Sequence, residues 1–347
     1  MEATVLFVLV DAGESDMLCP AIRLLDSPKV LCFGTAETLP LSLGSAQVLK
    51  GQELGLSKPI TKTTPRTEEL DLADLAVLES LLCSVKVIVT GVAAKVQQQL
   101  LERCTGRKIM VWDNFKGNDT GEYWRNAHSM LPSADIVLFP AQSTINELPI
   151  SVPHSRVVGQ PALEEWSLKI HSIDQVSVRS RLDIGESDRV VLYIAGWSGD
   201  SECAEGTRLF SAIVAELLLG TQVLVQLHPR SDGQFERQLF GSLARVTSNK
   251  DCTTEEATSI SCLVVCHKST AGLKIGAAGK PLIFAIPQPD YTNPMIEAGL
   301  APMVKTVAEF RAAYEGITSS SKDFYQTLNI PREAAQRIKE EILGLLD

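Results

Sequence analysis

The sequence has little positive charge and no long run of lysine or arginine. Its 347 residues include 32 basic and 42 acidic side chains, which gives a formal net charge of −10. Proteins whose main role is to hold nucleic-acid phosphates usually present a strongly basic face. Nucleic acid is therefore not an expected partner.

Long hydrophobic runs are also absent. The first apolar stretch covers only Met1–Val10, has no basic residue before it and ends at Asp11. A membrane-spanning helix needs roughly 20 apolar residues, and a signal peptide begins with a basic region. We therefore predict neither a membrane span nor a signal peptide, and we expect a cytoplasmic protein.

The eight cysteines include no Cys-x-x-Cys pair. Although His267 directly follows Cys266, the spacing of a four-ligand zinc site is missing, and no Asp-x-Asp motif is present. Cys262 and Cys266 lie in a run with the pattern of a buried strand. We interpret the cysteines as small apolar core residues in a reducing compartment, and we predict no metal and no cofactor.

What the sequence does contain is a repeated alternation of short Val/Ile/Leu-rich runs with longer amphipathic stretches. Continuous apolar runs predict parallel strands that are covered on both faces of a sheet. Strand–helix alternation is typical of α/β proteins, and 347 residues suit two domains. We predict an α/β fold of two Rossmann-like domains. The predicted strands are Val5–Val10, Val30–Phe33, Val85–Thr90, Ile109–Trp112, Ile136–Phe139, Arg189–Ala195, Gln222–Leu227, Ala244–Val246, Cys262–Cys266 and Pro281–Ile286.

The pattern of strands restarts after a Gly/Pro-containing segment near residue 160. We predict an N-terminal, acceptor-side domain over 1–160, a linker over 161–188 and a C-terminal nucleotide-sugar-binding domain over 189–330. Residues 331–347 have the apolar spacing of an amphipathic helix. We expect this last helix to pack back on the first domain.

Ligands of open parallel sheets bind outside the carboxyl ends of the strands, so the loops that follow strands are the first place to look for a site. The first strand is followed by Asp11, Glu14 and Asp16 around Gly13. One of these carboxylates could be a general base that deprotonates an acceptor hydroxyl. The alternative is a helix N-cap, which favours the same residue types. The loop lacks the Gly-x-Gly-x-x-Gly motif of dinucleotide-binding domains, so we do not expect NAD or FAD to bind in this half of the chain.

Two further loops follow the first strands of the second half. Gly196, Ser198 and Gly199 form a Gly/Ser loop whose backbone N–H groups could bind an anion, although a plain tight turn would have the same composition. His228 and Arg230 follow the next strand and are donors suited to phosphate. The alternative is that His228 has a structural role and binds no ligand.

The segment HKSTAG follows the strand SCLVVC and opens a helix rich in glycine and alanine. Lys268, Ser269 and Thr270 could hold an anion at this helix N-terminus, and a capped buried helix is the alternative. Asp290 lies in a polar loop after the strand PLIFAI and could bind a ribose, a sugar or an acceptor. The alternative is a surface loop that binds no ligand.

Four segments together resemble the GT-B glycosyltransferases and the related non-hydrolysing sugar-nucleotide 2-epimerases: VVGQP, RVVLYIAGWSGD, HPR and the run from SCLVVC through HKSTAGLKIGAAGKPLIF. The resemblance covers most of residues 156–300. It implies two Rossmann-like domains that face a central cleft. It also implies that Gly196, Ser198, His228, Ser269 and Thr270 surround the donor diphosphate, with Asp11, Glu14 or Asp16 facing the acceptor.

The predicted function is metal-independent transfer of a sugar from a nucleoside-diphosphate or CMP donor to an acceptor, which could be a protein, a glycan or a lipid. The alternatives are a sugar-nucleotide 2-epimerase or hydrolase on the same fold and a non-catalytic nucleotide-sugar-binding subunit. This chain departs from the glycosyltransferase pattern because no acidic residue occurs between Lys268 and Asp290. A ribose-binding glutamate is therefore missing there or is replaced by Asp290 or Glu297.

Overall fold

The structure is a computed structural model, which describes residues 5–39, 41–58, 60–117, 122–268, 271–317 and 322–346. The chain divides into two compact units, Met1–Ala162 with Asn329–Asp347, and Leu163–Leu328. Among the described residues, none of the helices is both long and apolar enough to cross a bilayer.

The first unit contains a seven-stranded sheet in which all strand pairs are parallel, in the order β3-β2-β1-β4-β5-β6-β7. The strands are β1 (Val5–Leu9), β2 (Lys29–Cys32), β3 (Gln47–Lys50), β4 (Val87–Thr90), β5 (Arg107–Val111), β6 (Ile136–Phe139) and β7 (Ser155–Val157). The helices are α1 (Ala12–Ile22), α2 (Leu72–Cys83), α3 (Lys95–Arg103), α4 (Glu122–Met130) and α5 (Gln142–Glu147). Short 3-10 turns cover Ala36–Thr38, Gly51–Glu53 and Leu131–Ser133.

Alternate residues of the central strands of the first unit enter two separate hydrophobic cores, one on each face of the sheet. Leu6 and Ile88 belong to one core, and Phe7 and Val87 belong to the other. All residues of β1 and β4 are buried. The prediction of parallel strands covered on both faces is confirmed for this sheet, because its continuous apolar strands bury both faces.

The second unit contains a six-stranded parallel sheet in the order β10-β9-β8-β11-β12-β13. The strands are β8 (Val190–Ile194), β9 (Gln222–Gln226), β10 (Arg245–Thr247), β11 (Leu263–Cys266), β12 (Leu282–Ala285) and β13 (Met303–Val304). The helices are α6 (Pro161–Ser172), α7 (Gln175–Arg181), α8 (Ser201–Leu217), α9 (Gln234–Phe240), α10 (Thr254–Ile260), α11 (Ala271–Ala277), α12 (Pro294–Glu297), α13 (Val307–Gly316) and α14 (Phe324–Thr327). Tyr193 and Phe210 stack in its core with ring centroids 4.4 Å apart.

Several elements differ from the sequence-based expectations. The edge strand β3 was not predicted, because its side chains are mostly exposed and it has no apolar run. The predicted linker, 161–188, contains α6 and α7, and from Leu163 onward it belongs to the second unit. α8 begins at Ser201, since Asp200 caps it by accepting from the backbone N–H of Cys203.

The C-terminal helix α15 (Ala334–Leu343) belongs to the first unit. Ile338 and Ile342 are fully buried in the same core as the side chains of α1. The chain leading to α15 packs closely on the segment after β7. Gly159 there has a φ of +88°, and a Cβ on it would lie 2.3 Å from the backbone oxygen of Pro331. Glycine is therefore required at this position both for its backbone conformation and for this close approach.

Gly159→Ala is expected to lower the free energy of unfolding by roughly 2–4 kcal/mol, since it adds a backbone clash to the cost of a positive φ. The control is Gly55→Ala, at a φ of +70° with nothing within 4 Å of the added Cβ, which should cost about 1 kcal/mol. Urea unfolding followed by circular dichroism measures both. Equal losses in the two variants would show that the C-terminal segment does not depend on this contact.

Candidate functional site

Four neighbouring strands of the second sheet, in the order β9, β8, β11 and β12, are each followed by a polar loop. Because these strands are parallel, their carboxyl ends lie at one edge of the sheet. The structure therefore brings the loops that begin at Gly196, His228 and His267 to the same edge, together with the loop that contains Asp290.

The loop after β8 is closely packed against α8. A Cβ at Gly196 would lie 2.5 Å from the Sγ of Cys203, and a Cβ at Gly199 would lie 2.5 Å from the ring of Trp197. Asp200 then caps α8, which holds its carboxylate in the charged form and lowers its pKa. Both glycines are thus required by packing within the loop.

His228 and Arg230 lie side by side after β9. The backbone N–H of Arg230 donates to Nδ1 of His228 at 3.2 Å, so the neutral ring carries its proton on Nε2. Burial and then the positive charge of Arg230 lower the pKa of His228. The guanidinium of Arg230 lies 5.9 Å from the ring centroid of Trp197, which is 43% exposed. Two donors to an anion are therefore adjacent at this strand end.

Two hydroxyl groups connect the loops after β8 and β9. The Ser198 and Ser231 oxygens are 3.2 Å apart, and the backbone N–H of Ser198 donates to the Ser231 hydroxyl at 3.4 Å. Together with the contact between Arg230 and Trp197, these bonds join the loop after β8 to the loop after β9.

The loop after β11 contains a histidine that is fully buried. His267 has no exposed surface, and neither ring nitrogen has a hydrogen-bond partner among the described residues. The ring packs directly against Gly206 of α8, because a Cβ on Gly206 would lie 2.1 Å from Cδ2 of His267. Burial lowers the pKa of His267, so the ring is held neutral.

Lys268 projects towards the first turn of α8, where its ammonium group pairs with the carboxylate of Glu202. The same ammonium lies 5.2 Å from the ring centroid of Tyr291. Ser269 and Thr270, which were also predicted to bind the donor, lie outside the described residues. Asp290 is exposed in the loop after β12. Among the described residues, no hydrogen bond or ion pair connects Asp290 to His228, Arg230 or Lys268.

The acidic loop of the first unit is built as a helix cap. Asp11 is the N-cap of α1, and its side chain accepts from the backbone N–H groups of Gly13 and Glu14 at 3.0 and 3.3 Å. Glu14 reaches back to the backbone N–H of Asp11 at 3.0 Å, which completes a capping box. The capping interpretation therefore describes what these two side chains do in the loop.

Glu14 is also buried, with a relative exposure of 1%. Its carboxylate accepts from the backbone N–H of Val10 and from Nε2 of Gln97, the latter at 2.7 Å. Burial, and then the charge of Asp11, raise its pKa well above the ordinary value. A Cβ at Gly91 would lie 1.7 Å from Oε2 of Glu14, so the loop after β4 leaves space for this carboxyl. Asp16 is exposed on α1.

Asp113 is a further acid at this edge that the sequence analysis did not select. It follows β5, and a Cβ on Gly13 would lie 2.0 Å from its Oδ2, which places it against the acidic loop. Burial, and then the charge of Asp11, raise the pKa of Asp113 to about 7. The rule that selected Asp11, a polar residue directly after an apolar strand, applies equally to Asp113 and could have found it.

Two other polar residues of the first unit, Arg66 and Gln160, contact Asp11 and Asp113 from distant parts of the chain. Nη2 of Arg66 lies 3.3 Å from Oδ2 of Asp11. Gln160 donates from Nε2 to the backbone oxygen of Asp113 at 3.2 Å, and its buried Oε1 has no hydrogen-bond partner among the described residues. No local pattern marks Arg66, because only the fold brings it to Asp11 from 55 positions away.

Over the described ranges, no group of three or more His, Cys, Asp or Glu side chains could hold a metal ion. The chemistry that the described residues offer consists of two kinds of group. Cations and N–H donors follow the strands of the second sheet, and a pair of carboxyls, Asp11 and Asp113, follows the strands of the first.

The whole chain is similar in structure to several solved enzymes. It aligns over 99% of its length with 99% of UDP-GlcNAc 2-epimerase from Neisseria meningitidis bound to UDP-GlcNAc, at a TM-score of 0.70 and 12% identity. It aligns over 98% with 99% of UDP-GlcNAc 2-epimerase from Methanocaldococcus jannaschii, at a TM-score of 0.66 and 12% identity. It also aligns over 99% with 88% of the wall teichoic acid polymerase TagF, at a TM-score of 0.65 and 15% identity. No family model and no curated protein matches the sequence.

These neighbours are GT-B fold proteins, and this chain has the same fold. The resemblance inferred from the four sequence segments is confirmed at that level, as is the prediction of an α/β protein with two Rossmann-like domains. At 12–15% identity the comparisons establish the fold alone.

The pKa of Asp113 predicts how stability depends on pH. The folded chain keeps the Asp113 proton up to about pH 7, whereas the unfolded chain releases it near 3.8, so the free energy of unfolding falls as pH rises between these values. Asp113→Asn should remove up to about 1.4 kcal/mol per pH unit of that slope. The pKa of Glu14 is also raised, so Glu14 contributes a slope of the same sign. That contribution remains in Asp113→Asn.

Urea unfolding at a series of pH values from 4 to about 8 measures this slope. The control is Asp26→Asn, an exposed acid of the same unit. An identical pH dependence in wild type and Asp113→Asn would mean that Asp113 ionises as readily in the folded protein as in the unfolded chain.

Proposed function

We propose that this chain is a GT-B sugar-nucleotide enzyme, and specifically a glycosyltransferase that moves a sugar from a nucleoside-diphosphate or CMP donor to an acceptor hydroxyl. The observation that supports this most is the set of polar loops after four neighbouring strands of the second sheet, with His228, Arg230 and Lys268 among their residues. Donors and cations at the carboxyl edge of a parallel sheet suit a phosphate-bearing ligand.

In this proposal the second unit binds the donor. Nε2–H of His228 and the guanidinium of Arg230 donate to the diphosphate, because Nδ1 of His228 is already engaged by the backbone. As the bond from the anomeric carbon to the diphosphate oxygen breaks, that oxygen keeps the electron pair and gains negative charge. Donors placed in advance stabilise this charge, and we assign the role to them rather than to a metal ion. Lys268 adds charge from the neighbouring loop.

We assign the acid–base chemistry to the carboxyls of the first unit. A group with a pKa of about 7 exchanges protons efficiently at neutral pH, which favours Asp113. Its ionised form would accept the proton of the acceptor hydroxyl while the hydroxyl oxygen forms its bond to the anomeric carbon. Asp11 forms an ion pair with Arg66. Glu14, held in the capping box, would position this loop.

A sugar-nucleotide 2-epimerase is the second candidate, and one observation favours it. Asp11 and Asp113 interact through their charges, and the charge of Asp11 raises the pKa of Asp113. Epimerisation needs one group that removes a proton and one that returns it, which such a pair can provide. UDP-GlcNAc incubated without acceptor distinguishes the two. Conversion of the sugar to its 2-epimer supports the epimerase, and a donor consumed only when an acceptor is added supports the transferase.

Nucleotide binding tests the donor site. We expect at least one of UDP, GDP, CDP, CMP or their sugar conjugates to bind, and His228→Ala and Arg230→Ala each to weaken that binding about tenfold by removing a hydrogen bond to a charged group. The control is Arg311→Ala, which removes an exposed cation from α13. Isothermal calorimetry measures the affinities. Failure of the whole panel to bind, or equal affinities in all variants, would contradict the donor site.

Turnover tests the role of Asp113. Asp113→Asn should lower kcat by roughly 10²–10⁴-fold, because it removes the proton acceptor, while the nucleotide affinity stays the same. Asp26→Asn is again the control, and product formation is followed by chromatography of the nucleotide. Full activity in Asp113→Asn would assign the base to another group. Nucleotide binding without turnover in the wild type would support the non-catalytic subunit instead.

A further inference from the structure

The carboxyl groups of Asp11 and Asp113 lie close together beside Gly13. A Cβ on Gly13 would lie 2.0 Å from Oδ2 of Asp113 and 3.6 Å from Oδ1 of Asp11. Two carboxyls this close oppose each other's ionisation, so they titrate as a pair and one of them holds its proton to higher pH. A base must be ionised to accept a proton, and this repulsion works against it.

A cation from a distant loop contacts this pair. Nη2 of Arg66 lies 3.3 Å from Oδ2 of Asp11. The other oxygen of Asp11, Oδ1, accepts from the backbone N–H groups of Gly13 and Glu14 in the cap of α1. The Asp11 carboxylate is therefore held at both oxygens, by the start of α1 on one side and by the guanidinium on the other.

The backbone of Arg66 is fixed independently of that ion pair. Its carbonyl oxygen accepts from the backbone N–H of Lys95, the first residue of α3, at 2.7 Å. α3 follows β4, which pairs in parallel with β1, so both strands end at the same edge of the sheet. This bond brings Arg66 to the edge at which Asp11 and Asp113 lie. No step of the proposed reaction uses Arg66.

Other charged and polar groups near Asp113 come from three parts of the first unit. On α1, Asp16 adds a repulsion, and Glu14 is held by the capping box. On the same loop, Lys116 lies three positions further along the chain. From the segment after β7, the neutral amide of Gln160 donates to the backbone oxygen of Asp113. All of these groups are retained when Arg66 alone is replaced.

We propose that Arg66 is a positioning residue: its guanidinium holds Asp11 in place and offsets the repulsion between the two carboxyls, so that Asp113 is available as a base. This inference rests on the proposed function, because it takes Asp113 as the proton acceptor. The ionisation of Asp113 itself can be measured without any turnover.

Arg66 favours the ionised form of Asp113 in two ways, since it adds a positive charge near the pair and binds the carboxylate that opposes ionisation. Burial, and then the charge of Asp11, raise the pKa of Asp113 to about 7, and the charge of Arg66 acts in the opposite direction. The side chains of Arg66 and Asp11 are 51% and 22% exposed, and an ion pair at the surface adds little to stability. A role in ionisation therefore explains this contact better than support of the fold does.

Arg66→Met tests the proposal, because it removes the charge and keeps a long unbranched side chain. We expect the midpoint of Asp113 ionisation to rise by about one pH unit, so that the ionised fraction at pH 7 falls roughly fivefold. NMR of protein with carbon-13 in its aspartate carboxyl groups follows the titration, and Asp113→Asn identifies the signal. Arg66→Gln, a second neutral variant, should show the same shift, and Arg66→Lys, which keeps the charge, should titrate nearly as wild type.

The matched control is Lys62→Met, which removes an exposed cation four positions away in the same loop and should leave the midpoint unchanged. A midpoint in Arg66→Met and Arg66→Gln that equals or lies below that of the wild type would overturn this inference. An equal shift in Arg66→Lys would also overturn it, because the effect would then come from lost packing rather than from charge. Failure of both neutral variants to fold would show that the ion pair supports the fold instead.

Turnover separates this inference from the proposed function. In Arg66→Met, kcat at pH 7 should fall roughly fivefold and recover as pH rises, because Asp113 ionises again, while the nucleotide affinity stays the same. A loss of kcat that is equal at every pH would overturn the positioning role. A shifted midpoint in a chain that turns over no sugar nucleotide would support the effect of Arg66 on Asp113 and contradict the proposed function.

Discussion

Parallel pairing within each sheet is the constraint on which the other features of this molecule depend. Strands buried on both faces favour apolar side chains along their length, so charged residues collect where the strands end. Parallel order then brings those ends to one edge in each unit. The carboxyls after β1 and β5 and the cations after β9 and β11 lie in such positions for this reason.

Burial at these strand ends affects the protonation of two acids, and the result differs with the partners available. Glu14 accepts from backbone N–H groups and from Gln97, and it completes a capping box. Asp113 lies close to the charge of Asp11, and its pKa of about 7 leaves it able to exchange a proton. The same residue chemistry therefore supports a helix cap and a candidate base, according to which donors and charges reach it.

The sequence was sufficient for the strands with continuous apolar runs, and hence for the α/β fold, because period and composition are local signals. It did not predict β3, whose exposed residues have no such signal, nor α6 and α7 in the expected linker. In the candidate site, Asp11 and His228 were selected because each directly follows a strand. Arg66 could not be selected, since its contact with Asp11 appears only once the chain has folded.

The charges at the candidate donor site are not all equally available to a ligand. Lys268 is already paired with Glu202, and their side chains are 24% and 53% exposed. An exposed pair of this kind contributes about 1 kcal/mol or less, so a diphosphate with two or more charges can compete for the ammonium. The guanidinium of Arg230 lies over the ring of Trp197, and no ion pair among the described residues involves it. The backbone N–H of Arg230 fixes Nδ1 of His228. These two donors can therefore meet an anion without first breaking an ion pair, and they should dominate its binding.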